Sequence, residues 1–389
     1  MFKKYRFSIQ HLWALTVITG VFIFVSTHPI RPQDFWWHMA VGREVVTTGQ
    51  IPAEDVYSYT MAGSSYPSYK VYWLAEVALY LTYQLGGGAL VVFIHSLLIT
   101  SAYIIVLYLG YCVSQSWRVS AFVTLFAAAL GLNDWNVRPQ AITFLLGALI
   151  LLSINRFRAT RKKEWLILLP ISIAVWTNNH GSFPIGLVLI AAWWLEEMWL
   201  FYRKVGGWKE YLLVPTLFAF LAGLASLINP FGLSILSYIN SLVGNEVVQN
   251  LVPEWAPPTF NTLGGSLFLF GLITSAIILA VSPKRPTVYQ MTLFIIFSWL
   301  GLKTLRGSVW FGLVLAPVLA DHLAALVHHY LPSRQNTSQS IGLPWLNRVF
   351  TGGLLLLMII SLPWFKQYLP LPPLKAGIFS YETPIKATE

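Results

Sequence analysis

Asp34-Phe35-Trp36-Trp37-His38 places a carboxylate and an imidazole four residues apart, one turn from each other on a helix. A carboxylate among three aromatic side chains at the edge of an apolar run is partly withdrawn from water. That raises its proton affinity and suits it to act as a general base. His38 could orient the carboxylate or contact an anionic substrate. The same residues also suit a plain helix cap followed by a packed interfacial imidazole, and spacing alone leaves both readings open. Asp55 follows Gly49-Gln50-Ile51-Pro52. An acid after such a turn can bind a metal or a sugar hydroxyl, or it can close its own loop. A divalent metal is the one cofactor the sequence leaves room for, through Asp34 and Asp55. Glu76, between Trp73 and Tyr80, is expected to turn inward, because a carboxylate facing lipid is costly.

Three arginine and histidine positions could meet a phosphate. Arg138, ahead of Pro139, offers a rigid donor fork at a fixed bend. Asn179 and His180 lie in the polar turn Trp176-Thr177-Asn178-Asn179-His180-Gly181, and Arg306 follows Lys303 in another turn. Each could instead anchor the chain at a membrane interface. There is no Gly-Lys-Ser/Thr phosphate loop, no His-Glu-x-x-His and no set of cysteines for a metal.

The elements that must hold these residues are helices in lipid. Of 389 residues, 56% are hydrophobic and 10% are charged, against about 25% charged in a soluble domain. The mean hydropathy is +0.63. Charge clusters and Pro/Gly breaks predict an all-α polytopic membrane protein of about eleven transmembrane helices. Several, notably the third to fifth and the last, are shorter than the ~17 residues a span needs and are expected to extend into their flanks or to be half-helices. The expected spans are 11–28, 89–112, 118–133, 139–155, 165–178, 183–201, 211–228, 263–281, 288–304, 308–328 and 349–363. Lys3, Lys4 and Arg6 ahead of the first apolar run resemble a signal sequence. Ser26-Thr27-His28-Pro29 offers no cleavage site, so an uncleaved first helix is expected. The lone cysteine, Cys112, allows no intramolecular disulfide.

Basic residues cluster on one side: Arg118, Arg156, Arg158, Arg161, Lys162, Lys163, Arg203, Lys204, Lys209, Lys284, Arg285, Arg334 and Arg348 join the N-terminal group. The acids Asp34, Glu44, Glu54, Asp55, Glu76, Asp134, Glu246, Glu254, Glu382 and Glu389 fall on the other. Excess Lys and Arg marks the cytoplasmic face. The expected topology is therefore a plasma (inner) membrane protein with a cytoplasmic N-terminus and an extracytoplasmic C-terminus. The net charge of +10 reports topology, and no nucleic-acid partner is expected. The expected organisation is a membrane domain over 1–364 with a tail over 365–389. The first outer loop, 29–88, should carry two amphipathic interfacial helices, Asp34–Val46 and Val71–Leu85. A second long outer loop is expected over 229–262.

This arrangement resembles the GT-C superfamily of polytopic glycosyltransferases, which includes protein O-mannosyltransferases and aminoarabinose transferases. The resemblance rests on an acid opening the first outer loop, here Asp34, followed by interfacial helices. It is also similar to a group of bacterial membrane proteins with Asp-x-Trp-Trp-His, Gly-x-Ile-Pro-x-x-Asp and Trp-Leu-x-Glu, matched by Asp34–His38, Gly49–Asp55 and Trp73–Glu76. Arg138-Pro139-Gln140, Trp176–Gly181, Asn229-Pro230 and Glu254-Trp255 extend the match. The resemblance implies that Asp34 is the catalytic base. It implies a sugar donor on polyprenyl phosphate, with the phosphate near Arg138, His180 or Arg306, and transfer with inversion to a lipid, glycan or protein acceptor. His38, Asp55, Glu76, Asn179 and Glu254 are the further candidates for donor or acceptor binding. Longer relatives continue past a segment like Tyr381–Ala387 into an outer soluble domain, and the resemblance leaves three expectations here: a missing acceptor-binding part, a partner that supplies an outer domain, or lost activity.

Three other readings compete. A polymerase or ligase of lipid-linked glycans would rely on Arg138, His180 and Arg306 more than on Asp34. A transporter would place ionisable groups along the middle of its spans, whereas Glu196, Glu197 and Asp321 fall near the inner ends. A non-catalytic assembly subunit would need none of these residues.

Overall fold

The computed structural model describes residues 8–32, 34–60, 62–65, 69–235, 237, 252–331, 343–369 and 377–383. Residues 236 and 238–251 of the second outer loop lie outside the described residues. So do 370–376 and 384–389 of the tail, and the charged residues Lys3, Lys4, Arg6, Glu246, Arg334 and Glu389.

The protein is an all-helical, multi-pass membrane protein. Twelve α-helices occur among the described residues: α1 (Ile9–Thr27), α2 (Phe35–Thr48), α3 (Tyr69–Ser114), α4 (Trp117–Gly131), α5 (Ala141–Thr160), α6 (Leu168–Thr177), α7 (Pro184–Tyr202), α8 (Val214–Ala225), α9 (Leu263–Val281), α10 (Val288–Lys303), α11 (Gly307–Tyr330) and α12 (Pro344–Ile360). Six are long and apolar enough to cross a membrane, and α4, α10 and α12 are shorter apolar helices. The short α6 and α8 are lengthened by tighter or wider turns. A 3₁₀ segment, Lys163–Ile167, leads into α6, and a π turn, Lys209–Leu213, leads into α8.

α3 combines two expected elements. Its helical backbone breaks at Gly86 and Gly87, and Gly87 has φ +62°. The residues before the break are the second interfacial helix, and those after it are the following span. α2 is the first interfacial helix and ends on Gly49 in the left-handed region (φ 70°), whose N–H caps Val45 O. Glycine is the residue that adopts this conformation without strain.

The chain divides into two compact units. Unit 1 comprises residues 1–24, 103–135 and 249–362. Its centre is α11, buried nearly all round over Gly307–Ala316. Gly312 lies against the Ala127 backbone of α4, and Gly271 of α9 lies against Phe126. Small residues let helices approach closely where lipid provides no hydrophobic drive between them. Unit 2 comprises residues 25–102, 136–248 and 363–389, and carries α2, the first part of α3, and α5 to α8. Trp176, Phe183 and Trp193 are fully buried among these helices. The tail returns to the segment between α1 and α2. Ile30 N donates to Ile378 O at 2.8 Å and Ser380 N donates to Ile30 O at 2.7 Å. Phe379 stacks on Trp36 with ring centres 5.4 Å apart. Lys366 is fully buried, with Nζ donating to Thr27 O at 3.2 Å. Burial pushes its ammonium down to about 8.

Candidate active site

Asp34 holds the N-cap position of α2, as the sequence suggests, but its side chain makes no capping bond. Instead, Oδ2 lies 3.1 Å from Nε of Arg138. The carboxylate is 46% exposed and the guanidinium 13%. Arg138 lies in the bend before Pro139 that leads into α5, so this pairing joins the starts of two helices more than a hundred residues apart. Capping is the bland role for an acid at this position, and the Asp34 carboxylate does not perform it.

One turn further along α2, His38 meets a different partner. Its Nδ1 lies 2.8 Å from Oε1 of Glu76, and both side chains are buried. This hydrogen bond fixes the orientation of the imidazole ring. The second Glu76 oxygen, Oε2, is buried and meets no hydrogen-bond partner among the described residues. Gly42 explains the close approach. A Cβ at this position would run into the Glu76 carbonyl and the Tyr80 side chain, so only glycine lets α2 lie this near α3. His38 thus supports the site through Glu76, and its link to Asp34 is the helix bond from its N–H to Asp34 O at 3.0 Å.

Tyr72 connects this pair to the next motif. Its ring centre is 5.6 Å from that of His38 and 5.3 Å from that of His180. Nδ1 of His180 accepts the Ser182 N–H at 3.0 Å, which leaves the ring proton on Nε2. Asn178 stitches the turn to α3. Its Oδ1 accepts from Trp73 Nε1 at 2.8 Å and its carbonyl from Leu74 N at 3.2 Å. Asn179 is buried, and its Nδ2 donates to Val175 O at 2.6 Å.

A cavity of about 110 Å³ opens beside this group. Its wall is mainly apolar, drawn from α3, the Val137–Pro139 bend and α5, with Arg138, His95, Thr82 and Asn179 as the polar exceptions. Arg138 therefore serves two neighbours, the Asp34 carboxylate and an apolar hollow.

The remaining candidates are committed elsewhere. Asp55 is buried and closes its own loop, accepting from Tyr57 N and Ser58 N at 2.9 Å each and from Ser58 Oγ at 2.5 Å. Arg306 lies in unit 1 and pairs with Glu254. Its Nε donates to Glu254 Oε2 at 2.7 Å, and its backbone N–H to Glu254 O at 3.1 Å. The metal option through Asp34 and Asp55 finds no donor set. Among the described residues no three His, Cys, Asp or Glu side chains are grouped to hold an ion. Asp34 faces a guanidinium and Asp55 faces amides, so the residues present do not fit a metal.

No family model matches the chain, and no characterised protein matches its sequence. Solved structures do. The archaeal oligosaccharyltransferase AglB from Archaeoglobus fulgidus, solved with an inhibitory peptide and a dolichol-phosphate, superposes with a TM-score of 0.58 at 15% identity over 97% of this chain. The apo form of an Archaeoglobus fulgidus oligosaccharyltransferase superposes with a TM-score of 0.53 at 15% identity over 94% of this chain. The chain has a GT-C fold. It spans only 57% and 56% of the length of those two chains, so the likeness is one of the membrane architecture.

Within this GT-C fold, three contributors had escaped the sequence reading: His95, Tyr72 and Asn178. A signal existed for His95, since an imidazole inside a run as apolar as Ala89–Tyr111 is costly unless it faces a cavity. Asn178 was marked only as part of the polar turn Trp176–Gly181, and Tyr72 carried no signal, because their roles depend on contacts between distant segments.

Proposed function

We propose that the protein is a membrane glycosyltransferase that moves a sugar from a polyprenyl-phosphate donor to an extracytoplasmic acceptor hydroxyl, with inversion and with Asp34 as general base. The observation that carries this reading is the Asp34–Arg138 pair at 3.1 Å, beside an apolar cavity that Arg138 also lines. A lipid-phosphate sugar needs an apolar hollow for its tail, a cation for its phosphate and a base on the side from which the acceptor arrives. This corner of unit 2 supplies one of each.

The phosphate-proximal end of the donor tail enters the cavity and its phosphate meets Arg138. That phosphate competes with Asp34 for the guanidinium, so donor binding releases the carboxylate to work. Asp34 then takes the proton of the acceptor hydroxyl, whose oxygen attacks the anomeric carbon. The bond from that carbon to the phosphate oxygen breaks, and the leaving phosphate keeps the electron pair. Arg138 stabilises the growing negative charge, an electrostatic contribution that is commonly large in such transfers. His38 and Glu76 hold the α2–α3 approach on which the position of Asp34 depends. The likeness to oligosaccharyltransferases supports a lipid-linked donor; its sugar and acceptor belong to the test.

The test is transfer of labelled sugar from a panel of polyprenyl-phosphate and polyprenyl-diphosphate sugars by the purified protein in proteoliposomes. Transfer that disappears in Arg138→Gln supports the reading. A polymerase or ligase that relies on Arg and His alone would lose activity in Arg138→Gln yet keep it in Asp34→Asn. Undiminished transfer in both variants would exclude this corner as the reacting centre.

A further inference from the structure

The far end of α5 carries a different chemistry. α5 starts beside Arg138 and runs twenty residues to Thr160, a rise of about 30 Å, which matches the hydrocarbon thickness of a bilayer. At that end α5, α7 and the π turn before α8 are tied together by Arg161. Its NH1 is 2.6 Å from Glu197 Oε2, its Nε is 3.6 Å from Glu210 Oε1, and its guanidinium lies 4.2 Å from the Tyr211 ring centre. Arg158 pairs with Glu196. Glu196 and Glu197 are buried, so these acids are used up inside the unit.

What remains outside is mainly cationic, with Glu164 the exposed acid beside it. Lys162, Lys163, Arg203, Lys204 and Lys209 are exposed, and none of them pairs with an acid among the described residues. Large apolar side chains are exposed beside them: Trp199 at 46%, Tyr202 at 76% and Trp208 at 54%. Arg203 lies over the Trp199 ring at 5.8 Å and Lys209 over the Trp208 ring at 5.7 Å. Amphipathic rings with cations on them suit the layer where headgroups meet acyl chains.

We propose that this end of unit 2 is a binding surface for anionic phospholipid headgroups. Lys162, Lys163 and Lys204 contact the phosphates, while Trp199, Tyr202 and Trp208 seat in the glycerol layer. The charge excess by itself would also serve topology alone. The added observation is the cation–aromatic pairs Arg203–Trp199 and Lys209–Trp208, set on the same elements that Arg158 and Arg161 join through buried glutamates and about one bilayer thickness along α5 from Arg138.

The experiment uses the full chain in nanodiscs of phosphatidylcholine with or without phosphatidylglycerol, and counts retained lipid by native mass spectrometry. Wild type should retain phosphatidylglycerol over phosphatidylcholine, and 1 M salt should remove the preference by screening. The variant K162Q/K163Q should lose preference, by about fivefold for each cation removed. Equal retention of the two lipids by wild type would overturn the proposal. So would a preference that survives both high salt and K162Q/K163Q. The salt series needs no variant, so a failure of K162Q/K163Q to insert leaves the proposal exposed to refutation.

Discussion

Two arginine–carboxylate pairs in this protein look alike in sequence and differ in structure. In unit 1, Arg306 and Glu254 are joined by side chains and by a backbone bond, and Leu305 N adds a bond to Ala256 O at 2.9 Å. The pair fastens a turn ahead of α11. In unit 2, Arg138 and Asp34 meet through side chains at 3.1 Å, the acid is half-exposed and the guanidinium borders a cavity. The first pair is sewn shut and the second is open to a ligand on one side. An ion pair does chemistry only where a substrate can replace one of its partners.

The sharpest way to break this comparison is to remove both arginines separately. Arg138→Gln should lower turnover by about 10²–10³-fold, the size expected when a donor to a developing negative charge is lost. Arg306→Gln should leave steady-state transfer within about twofold. Equal losses in the two variants would erase the distinction between the pairs.

A smaller effect is expected from the support beneath the open pair. Gly42→Ala places a methyl group against the Glu76 carbonyl and should destabilise the protein by about 1–3 kcal/mol through overpacking. Thermal unfolding in nanodiscs would read this as a lowered midpoint, accompanied by reduced turnover because α2 carries Asp34. A Gly42→Ala protein of unchanged stability would show that α2 and α3 do not press together here.

The smallest effect belongs to the closed pair. Both side chains of Arg306–Glu254 are about a quarter exposed, and solvent screening limits such a pair to about 0–1 kcal/mol. Glu254→Gln should shift the unfolding midpoint by no more than that amount implies. A larger loss would make the turn ahead of α11 a principal fastening of unit 1.

Much of the fold was legible because lipid imposes a simple rule. Each span had to be a long apolar helix, and each of the eleven expected spans coincides with a helical segment. Leu263–Val281 matches its expected limits to the residue. The amphipathic pair in the first outer loop was legible from Gly49, Pro52 and the aromatic spacing. The contacts that make a site were not. Asp34 and Arg138 were each suspected, but their pairing depends on how helices far apart in sequence come together. The Glu76 carboxylate was expected to turn inward, and it is fully buried. That it meets His38 follows from the absence of a side chain at Gly42, which no periodicity reveals. Asp55 shows the opposite failing. Its sequence setting allowed a ligand role, and local backbone geometry turned it to its own loop.

The most direct measurement of the central claim is the kinetics of Asp34→Asn with a polyprenyl-phosphate sugar, read together with donor binding. The substitution keeps the shape of the side chain and removes its basicity. Loss of a general base predicts a fall in kcat of about 10²–10⁴-fold, with donor affinity retained because Arg138 and the cavity are untouched. Unchanged kcat would contradict the account, whatever happened to binding.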